Sequence, residues 1–380
     1  MGVAELTRNA VDVLPEAALE QKLKLGRPLR VKLGIDPTGS DIHLGFAVVL
    51  RRLRAFQDEG HIAVLIVGDY TARIGDPSGR SKERQVLPDE VLDRNAELFA
   101  EQAFRILDRE RTEIRFNGDW LGKLEYAELV RLTRTATVAR LLERNDFAER
   151  FSRGDPISVS ELLYPFAQGY DSVAIEADIE VGGTDQLYNL LMGRDVMEQY
   201  GLEPQAIVTY ELLVGTDGAV KMSKSEGNYI GIDEPPDEQF GKVMSIPDEA
   251  LEQWWRLCLD EDPPATDPME SKLALARGIV AMWHGEEAAR RAEEHFTRVV
   301  REGQAPEDVP EVEHPEAVVH LPALLADTFG ESRAHWRRVI DQGGVKANGH
   351  AISSYDVERE AIEGVVIQAG KRQFLRIRAA

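Results

Sequence analysis

Residues 30–70 read RVKLGIDPTGSDIHLGFAVVLRRLRAFQDEGHIAVLIVGDY. RVKLGI, positions 30–35, has the length and apolar content of a short strand. Leu44, Ala47, Val48, Leu50, Leu53 and Phe56 then recur at helical spacing. HIAVLIVGDY, positions 61–70, is a β-branched run of the kind that forms a buried strand. Strand, helix and strand in this order form a βαβ unit, because parallel strands need a crossover and the helix supplies it. A second such stretch runs from Ile179 to Leu213, with a short strand ending at Gly182-Gly183, a helix over Gln186–Tyr200 and a strand at AIVTYELL. Positions 85–165 read mostly helical, as an insertion between two half-sheets. The expected fold class is α/β, with a Rossmann-like parallel-sheet catalytic domain over 1–220 that contains this helical insertion.

Beyond Ile230 the β pattern fades. A loop over 221–235 leads into a helical domain over 236–302. GQAPEDVPEVEHPE, with three prolines and five acids, reads as the core of a linker over 303–317. The remainder, 318–380, reads as a small α+β module with a helix near Ser332–Ile340 followed by a GGVKANGH turn. A chain of 380 residues suits several domains. The single cysteine, Cys258, excludes an internal disulfide and a cysteine-based zinc site, and none of the eight histidines forms an H-x-x-x-H pair. No metal site is therefore expected. The acidic N-terminus has no apolar core of a signal peptide, and no run of apolar residues is long enough to span a bilayer. The expected location is cytoplasmic, with no membrane partner. The formal charge is −22, yet the last fifty residues carry nine Lys/Arg against six Asp/Glu. A basic tail on an acidic body is compatible with an RNA-contacting module.

The chemistry concentrates in a few loops. GIDPTGSDIHLGF puts Asp36 at the carboxyl end of the first strand and His43 near the N-terminus of the helix, where backbone N–H groups favour phosphate. A capped turn with an incidental histidine has the same pattern. VKMSKSEGN brings Lys221, Ser223, Lys224 and Ser225 onto one glycine-flanked loop. Two lysines with interleaved hydroxyls can surround a polyphosphate and neutralise charge as pyrophosphate leaves, although an exposed basic loop has the same composition. Tyr164, Gln168 and Asp171 stand at i, i+4 and i+7 and share one helix face. That face can hold a small polar ligand or join two helices. Gly183 permits close backbone approach, and Asp185 can accept from ribose hydroxyls or cap a helix.

His43-Leu44-Gly45 resembles the HIGH signature, and Lys221-Met222-Ser223-Lys224-Ser225 the KMSKS signature, of class I aminoacyl-tRNA synthetases. GIDPTGSDIHLG, IGDPSGRSKER from Ile74, YPFAQGYDS from Tyr164 and GGTDQLYN from Gly182 together resemble the bacterial tyrosyl-tRNA synthetases. The GGVKANG tail is similar to their S4-like RNA-binding module. The resemblance runs over essentially the whole chain, in order.

It implies tyrosine activation with ATP, carrying Mg²⁺, followed by transfer of tyrosine to tRNA(Tyr) by a homodimer. By the resemblance Asp171 accepts from the phenol hydroxyl, while Tyr164, Gln168 and Asp76 hold the α-ammonium group. Gln186 lies by the substrate carboxylate, and Asp36 near the amino acid and the α-phosphate. Gly45, Gly183 and Asp185 belong to the ATP site, with His43, Lys221, Ser223 and Lys224 at its phosphates. Arg80 and Arg84 form a basic segment that nears phosphate or tRNA. Arg333, Arg337, Arg338 and Lys346 face tRNA from the C-terminal module, and the helical domain reads the anticodon. Two positions depart from the pattern. Phe46 replaces the second signature histidine, and Lys32 stands where one branch of the family has a tyrosine that touches the phenol hydroxyl. Two other readings remain: a tryptophanyl relative, disfavoured by the Tyr164–Gln168–Asp171 face, and a weak paralogue retained for RNA binding, supported by Phe46.

Overall fold

The computed structural model describes residues 3–39, 41–78, 87–265, 267–301, 309–370 and 373–379. They form two compact units, Met1–Glu234 with Ser245–Leu275, and Pro235–Met244 with Ala276–Ala380.

The first unit is built on six strands: β1 (Ala10–Leu14), β2 (Arg30–Ile35), β3 (Ile62–Val67), β4 (Thr112–Phe116), β5 (Ile179–Gly183) and β6 (Ala206–Tyr210). Their order is β1-β6-β5-β2-β3-β4, parallel throughout except that β1 runs antiparallel to β6. β3, IAVLIV, is buried from Ala63 to Val67, as its unbroken apolar run requires of a strand covered on both faces. Helix α1 (Leu44–Asp58) buries the predicted apolar residues, with Leu44, Leu50, Leu53 and Phe56 in the core. Helix α2 is Asp89–Ala103, α3 is Val159–Ala174 and α4 is Leu187–Gln199. Ser158 starts α3 with a capping box: its side chain accepts from the first turn, and Glu161 accepts from the Ser158 amide at 2.9 Å.

The sheet has two strands that the sequence reading lacked. Residues 112–116, read as part of a helical insertion, form β4 beside β3. Residues 10–14 form the antiparallel edge β1. Both are five residues long and largely half-buried, so neither has the apolar run that marks β3.

In the second unit α5 (Pro236–Met244) packs on α6 (Glu286–Phe296), with the Phe240 and Phe296 rings 5.5 Å apart. Further on come β7 (Glu311–His314), β8 (Val318–His320), α7 (Leu321–Phe329), α8 (Arg333–Asp341), β9 (Val345–Ala347), β10 (His350–Ala351), β11 (Asp356–Glu358), β12 (Val366–Ala369) and β13 (Gln373–Ala379). Five strands form a sheet in the order β10-β9-β12-β13-β7, and β11 pairs with β8. Leu321, Leu325, Trp336, Ile340, Ile367 and Leu375 form its core. The stretch read as a linker contributes β7, which pairs in parallel with β13 while Val312 packs on the core. Its three prolines hid an alternating edge strand, and prolines flanking such a strand interrupt no ladder.

Candidate active site

The chain proceeds from β2 to β3 and β4 on one side of the sheet and from β5 to β6 on the other, which makes the β2/β5 junction a topological switch point. Ligands of open α/β sheets bind beyond the strand ends at such a junction. Among the described residues β2 and β5 pair at Val31–Ile179 and Lys32–Glu180, after which they part. A cavity of about 570 Å³ opens above the parting. Asp36, His43, Gly45, Asp76, Tyr164, Gln168, Asp171, Gly183, Asp185, Gln186, Lys221, Ser223 and Lys224 all line it. Residues far apart in sequence are thus gathered by the ends of β2 and β5, the first turn of α1, one face of α3 and the 221–225 loop.

At one part of the wall the Asp171 carboxylate, 2% exposed, accepts from Trp120 Nε1 at 2.8 Å and from Asn117 Nδ2 at 3.2 Å. Burial pushes its pKa up to about 6, against the opposing pull of the Lys32 charge and these two donors. A carboxylate can accept about four hydrogen bonds, so capacity remains for a ligand hydroxyl. Tyr164 donates to Asp36 Oδ2 at 3.0 Å, and Thr71 donates to Asp36 Oδ1 at 2.7 Å. Gln186 donates to Asp76 Oδ2 at 3.0 Å, while Ser78 donates to Asp76 Oδ1 through its amide and hydroxyl. Gln168 lines the cavity, and its Oε1 is buried without a hydrogen-bond partner.

The loops carry the other half. His43 occupies the N-cap position of α1 without a side-chain capping bond and stacks on Phe46 with ring centroids 4.3 Å apart. Its Nδ1 is also buried and unpartnered. Burial, and secondarily the charge of Lys224, lowers its pKa to about 3, so the imidazole is neutral. Lys221 Nζ pairs with Asp185 at 2.7 Å and Lys224 Nζ with Asp41 at 3.4 Å. Burial lowers the Lys224 pKa. The loop is held by the Ser223 amide donating to Asn228 Oδ1 at 2.8 Å and is turned by Gly227 at φ +69°. A Cβ at Gly183 would stand 2.5 Å from Leu212 Cδ2 and 2.9 Å from Asp185 Oδ1, so those side chains would have to shift.

Several residues of this site were not singled out from sequence. Asn117 and Trp120 follow β4, and recognising TEIRF as a strand would have placed them at a strand's carboxyl end. Arg144 lies behind the wall, 7% exposed, donating to Asn189 Oδ1 at 2.9 Å and Ser78 Oγ at 2.7 Å. Asn189 donates in turn to Gln186 Oε1 at 2.9 Å. No spacing in the sequence announces that network. Arg80 and Arg84 lie outside the described residues. In the second unit Arg333, Arg337 and Arg338 are exposed on α8, with Lys346 exposed on β9. Among the described residues no cluster of three His, Cys, Asp or Glu could hold a metal ion, and no helix is long and apolar enough to cross a membrane.

A switch-point cavity lined by an HLG turn and a KMSKS loop defines a class I aminoacyl-tRNA synthetase. The chain belongs to that family, in the group of the tryptophan and tyrosine enzymes, whose model matches residues 24–301. Among its relatives, the tyrosine–tRNA ligase of Thermotoga maritima is 47% identical over 98% of this chain and 96% of its own length. That of Geobacter sulfurreducens is 47% identical over 99% and 98%, and that of Haemophilus influenzae 45% over 99% and 96%. Within the family the chain therefore stands with the bacterial tyrosyl-tRNA synthetases. The crystal structure of the Archaeoglobus fulgidus tyrosyl-tRNA synthetase complexed with L-tyrosine shares the fold, with a TM-score of 0.62 at 22% identity over 76% of this chain and 98% of that one. A truncated mitochondrial tyrosyl-tRNA synthetase from Aspergillus nidulans matches with a TM-score of 0.62 at 21% identity, over 77% and 91%.

Proposed function

We propose that this cavity is where the chain, a tyrosine–tRNA ligase by family, activates L-tyrosine with ATP and passes the tyrosyl group to tRNA(Tyr). The observation that carries the assignment of the site is the convergence of the Tyr164–Gln168–Asp171 face with His43 and the 221–225 loop on one cavity. The tyrosine carboxylate attacks the α-phosphorus of ATP, the bond to the β-phosphate oxygen breaks, and pyrophosphate leaves. A ribose hydroxyl at the tRNA end then attacks the tyrosyl carbonyl and AMP departs. Neither step needs a protein nucleophile, so catalysis is positioning plus stabilisation of charge.

Asp171 accepts from the phenol hydroxyl. Phenylalanine would leave this buried carboxylate desolvated without a partner, which is the basis of its rejection. Tyr164, Gln168 and Asp76 hold the ammonium group, Gln168 through its unpartnered Oε1. Gln186 orients the carboxylate, and Asp36 stands between amino acid and α-phosphate. Gly45 and Gly183 admit the nucleotide closely, and Asp185 accepts from its ribose. His43 donates to phosphate as a neutral imidazole, with Lys221, Ser223 and Lys224 around the departing pyrophosphate. Mg²⁺ arrives on ATP with most of its waters, as its reluctance to dehydrate favours.

Arg80 and Arg84 approach phosphate or tRNA, the helical domain over 236–302 reads the anticodon, and Arg333, Arg337, Arg338 and Lys346 contact tRNA phosphates. The catalytic, helical and S4-like domains divide near 220, 235, 302 and 317. The working form is a cytoplasmic homodimer. Tyr126, Val138, Phe151 and Val159 support this, because each exposes more than half of its apolar side chain in the first unit. The test is exchange of labelled pyrophosphate into ATP with tyrosine, phenylalanine and tryptophan. Exchange with tyrosine alone is expected. Exchange with tryptophan instead would overturn the reading of α3, and no exchange alongside intact tRNA binding would make Phe46 the mark of an RNA-binding paralogue.

A further inference from the structure

Lys32 does not line the cavity and is 0% exposed, directly below the point where β2 and β5 part. Its Cα partner across the junction is Glu180, itself 1% exposed. Lys32 Nζ meets Glu180 Oε1 at 2.8 Å, the Gln168 carbonyl at 2.9 Å and Ser172 Oγ at 2.8 Å. The ammonium thus donates hydrogen bonds to the Gln168 carbonyl and Ser172 Oγ and is ion-paired with Glu180. Glu180 Oε2 accepts from Gln205 Nε2 and from Ser172 Oγ. The pair therefore joins both half-sheets to α3 at the residues on either side of Asp171. Hydrophobic residues could fill such a junction at no loss of stability, so a buried ion pair there is poorly explained by stability alone.

We propose that Lys32 is a specificity-determining positioning residue: its ammonium, fixed by Glu180, supplies the countercharge that keeps Asp171 a carboxylate and anchors the α3 turn that aims it. This rests on the reading that Asp171 accepts from the tyrosine phenol hydroxyl. The charged groups acting on Asp171 are Lys32 from β2 and Glu180 from β5, with opposite signs, and Lys32 outweighs Glu180. Trp120 and Asn117, from the segment after β4, are neutral donors to it. Lys32 touches no substrate atom and acts through Asp171.

The two members of the pair predict opposite shifts. Pyrophosphate exchange with tyrosine and with phenylalanine is measured as kcat/KM against pH for the full chain and for two variants, Lys32→Met and Glu180→Gln. Loss of the cation raises the Asp171 pKa, so the acid limb of tyrosine activation moves up by about one pH unit or more in Lys32→Met. At neutral pH the ratio of tyrosine to phenylalanine activation falls about tenfold, the difference between a hydrogen bond to a charged acceptor and one to a neutral acceptor. Glu180→Gln keeps the shape, removes the opposing charge and moves the limb down. A merely structural role would lower activity with both amino acids and leave the limb in place. An unmoved limb, a shift of the same sign in both variants, or an unchanged ratio in Lys32→Met overturns the proposal. Should Lys32→Met fail to fold, the direction of the Glu180→Gln shift decides alone. Asp171→Asn, assayed beside them, separates the two claims. Undiminished preference for tyrosine in that variant defeats the reading of Asp171 itself, whereas lost preference there with unmoved limbs elsewhere defeats only the role of Lys32.

Discussion

Asp171→Asn removes a charge that the fold holds at a cost, so the variant is expected to gain stability as it loses selectivity. Burial raises the Asp171 pKa from an ordinary 3.8 to about 6. A rise of that size corresponds to about 3 kcal/mol between the two protonation states. Because the folded-state value is the higher one, the contribution favours folding below pH 3.8 and is lost as pH rises through about 6. At neutral pH the wild type carries nearly the full penalty, and asparagine carries none. The substitution also brings its own defect. Asn117 Oδ1 already accepts from the Tyr70 and Thr71 amides, so its Nδ2 must face the residue 171 side chain, 3.2 Å away in the wild type. The amide nitrogen that the variant introduces would oppose another donor there, at a cost of about 1 kcal/mol. That offset does not depend on pH and cancels when stabilities at two pH values are compared. Urea unfolding of both proteins at pH 5 and pH 8, followed through the transition that reports on Trp120, should show the wild type losing about 1 to 2 kcal/mol relative to Asp171→Asn over that interval. Identical pH dependence in the two proteins would refute the claim that the fold holds this carboxylate against its preference. The pairing of greater stability with poorer function is what a site built around a strained charge produces.

Three further outcomes follow from the same geometry. Since the His43 imidazole is neutral down to about pH 3, wild-type pyrophosphate exchange should show no limb from its titration at ordinary assay pH, and His43→Ala should lower kcat by about 10²–10³ uniformly across the profile. A loss that grows only below the usual histidine range would contradict this. Lys224→Ala removes an interaction made mainly as pyrophosphate leaves, so kcat should fall by about 10² or more while the KM for tyrosine, measured by the same exchange, stays nearly constant. Gly183→Ala introduces a Cβ that meets Leu212 and Asp185; the KM for ATP should rise several-fold with circular dichroism unchanged, and a purely thermal defect would argue against nucleotide contact at β5.

The central βαβ unit was legible because its signals are cooperative. Six apolar residues spread through α1 and the unbroken run of β3 each specify burial without reference to the rest of the chain. β1 and β4 gave no comparable signal, because a short strand at a sheet edge is specified by its neighbour as much as by its own residues. The site divides in the same way. Asp36, His43 and the 221–225 loop could be found because glycine-rich turns with charged and hydroxyl side chains are informative locally. Trp120, Asn117 and Arg144 act through contacts with residues 45 to 66 positions away in sequence. An indole donor or a buried guanidinium looks like ordinary core or surface until the partner is known. Lys32 is the sharpest case: its residue type in RVKLGI shows only a polar residue in a strand, and the ion pair that holds it becomes visible only with Glu180 on the neighbouring strand.

The two lysine pairs of the 221–225 loop change what nucleotide binding is in thermodynamic terms. Lys221 is matched by Asp185 and Lys224 by Asp41, so the site works like a loaded ion-exchange resin. On the proposed assignment of the site, an incoming triphosphate would be a competing counterion for the ammonium groups, and the displaced carboxylate of Asp185 would become free for the ribose in the same exchange. A ligand with ribose but no phosphate can capture Asp185 only by stranding Lys221. On that assignment the triphosphate tail would drive the swap, and the nucleoside would benefit from it.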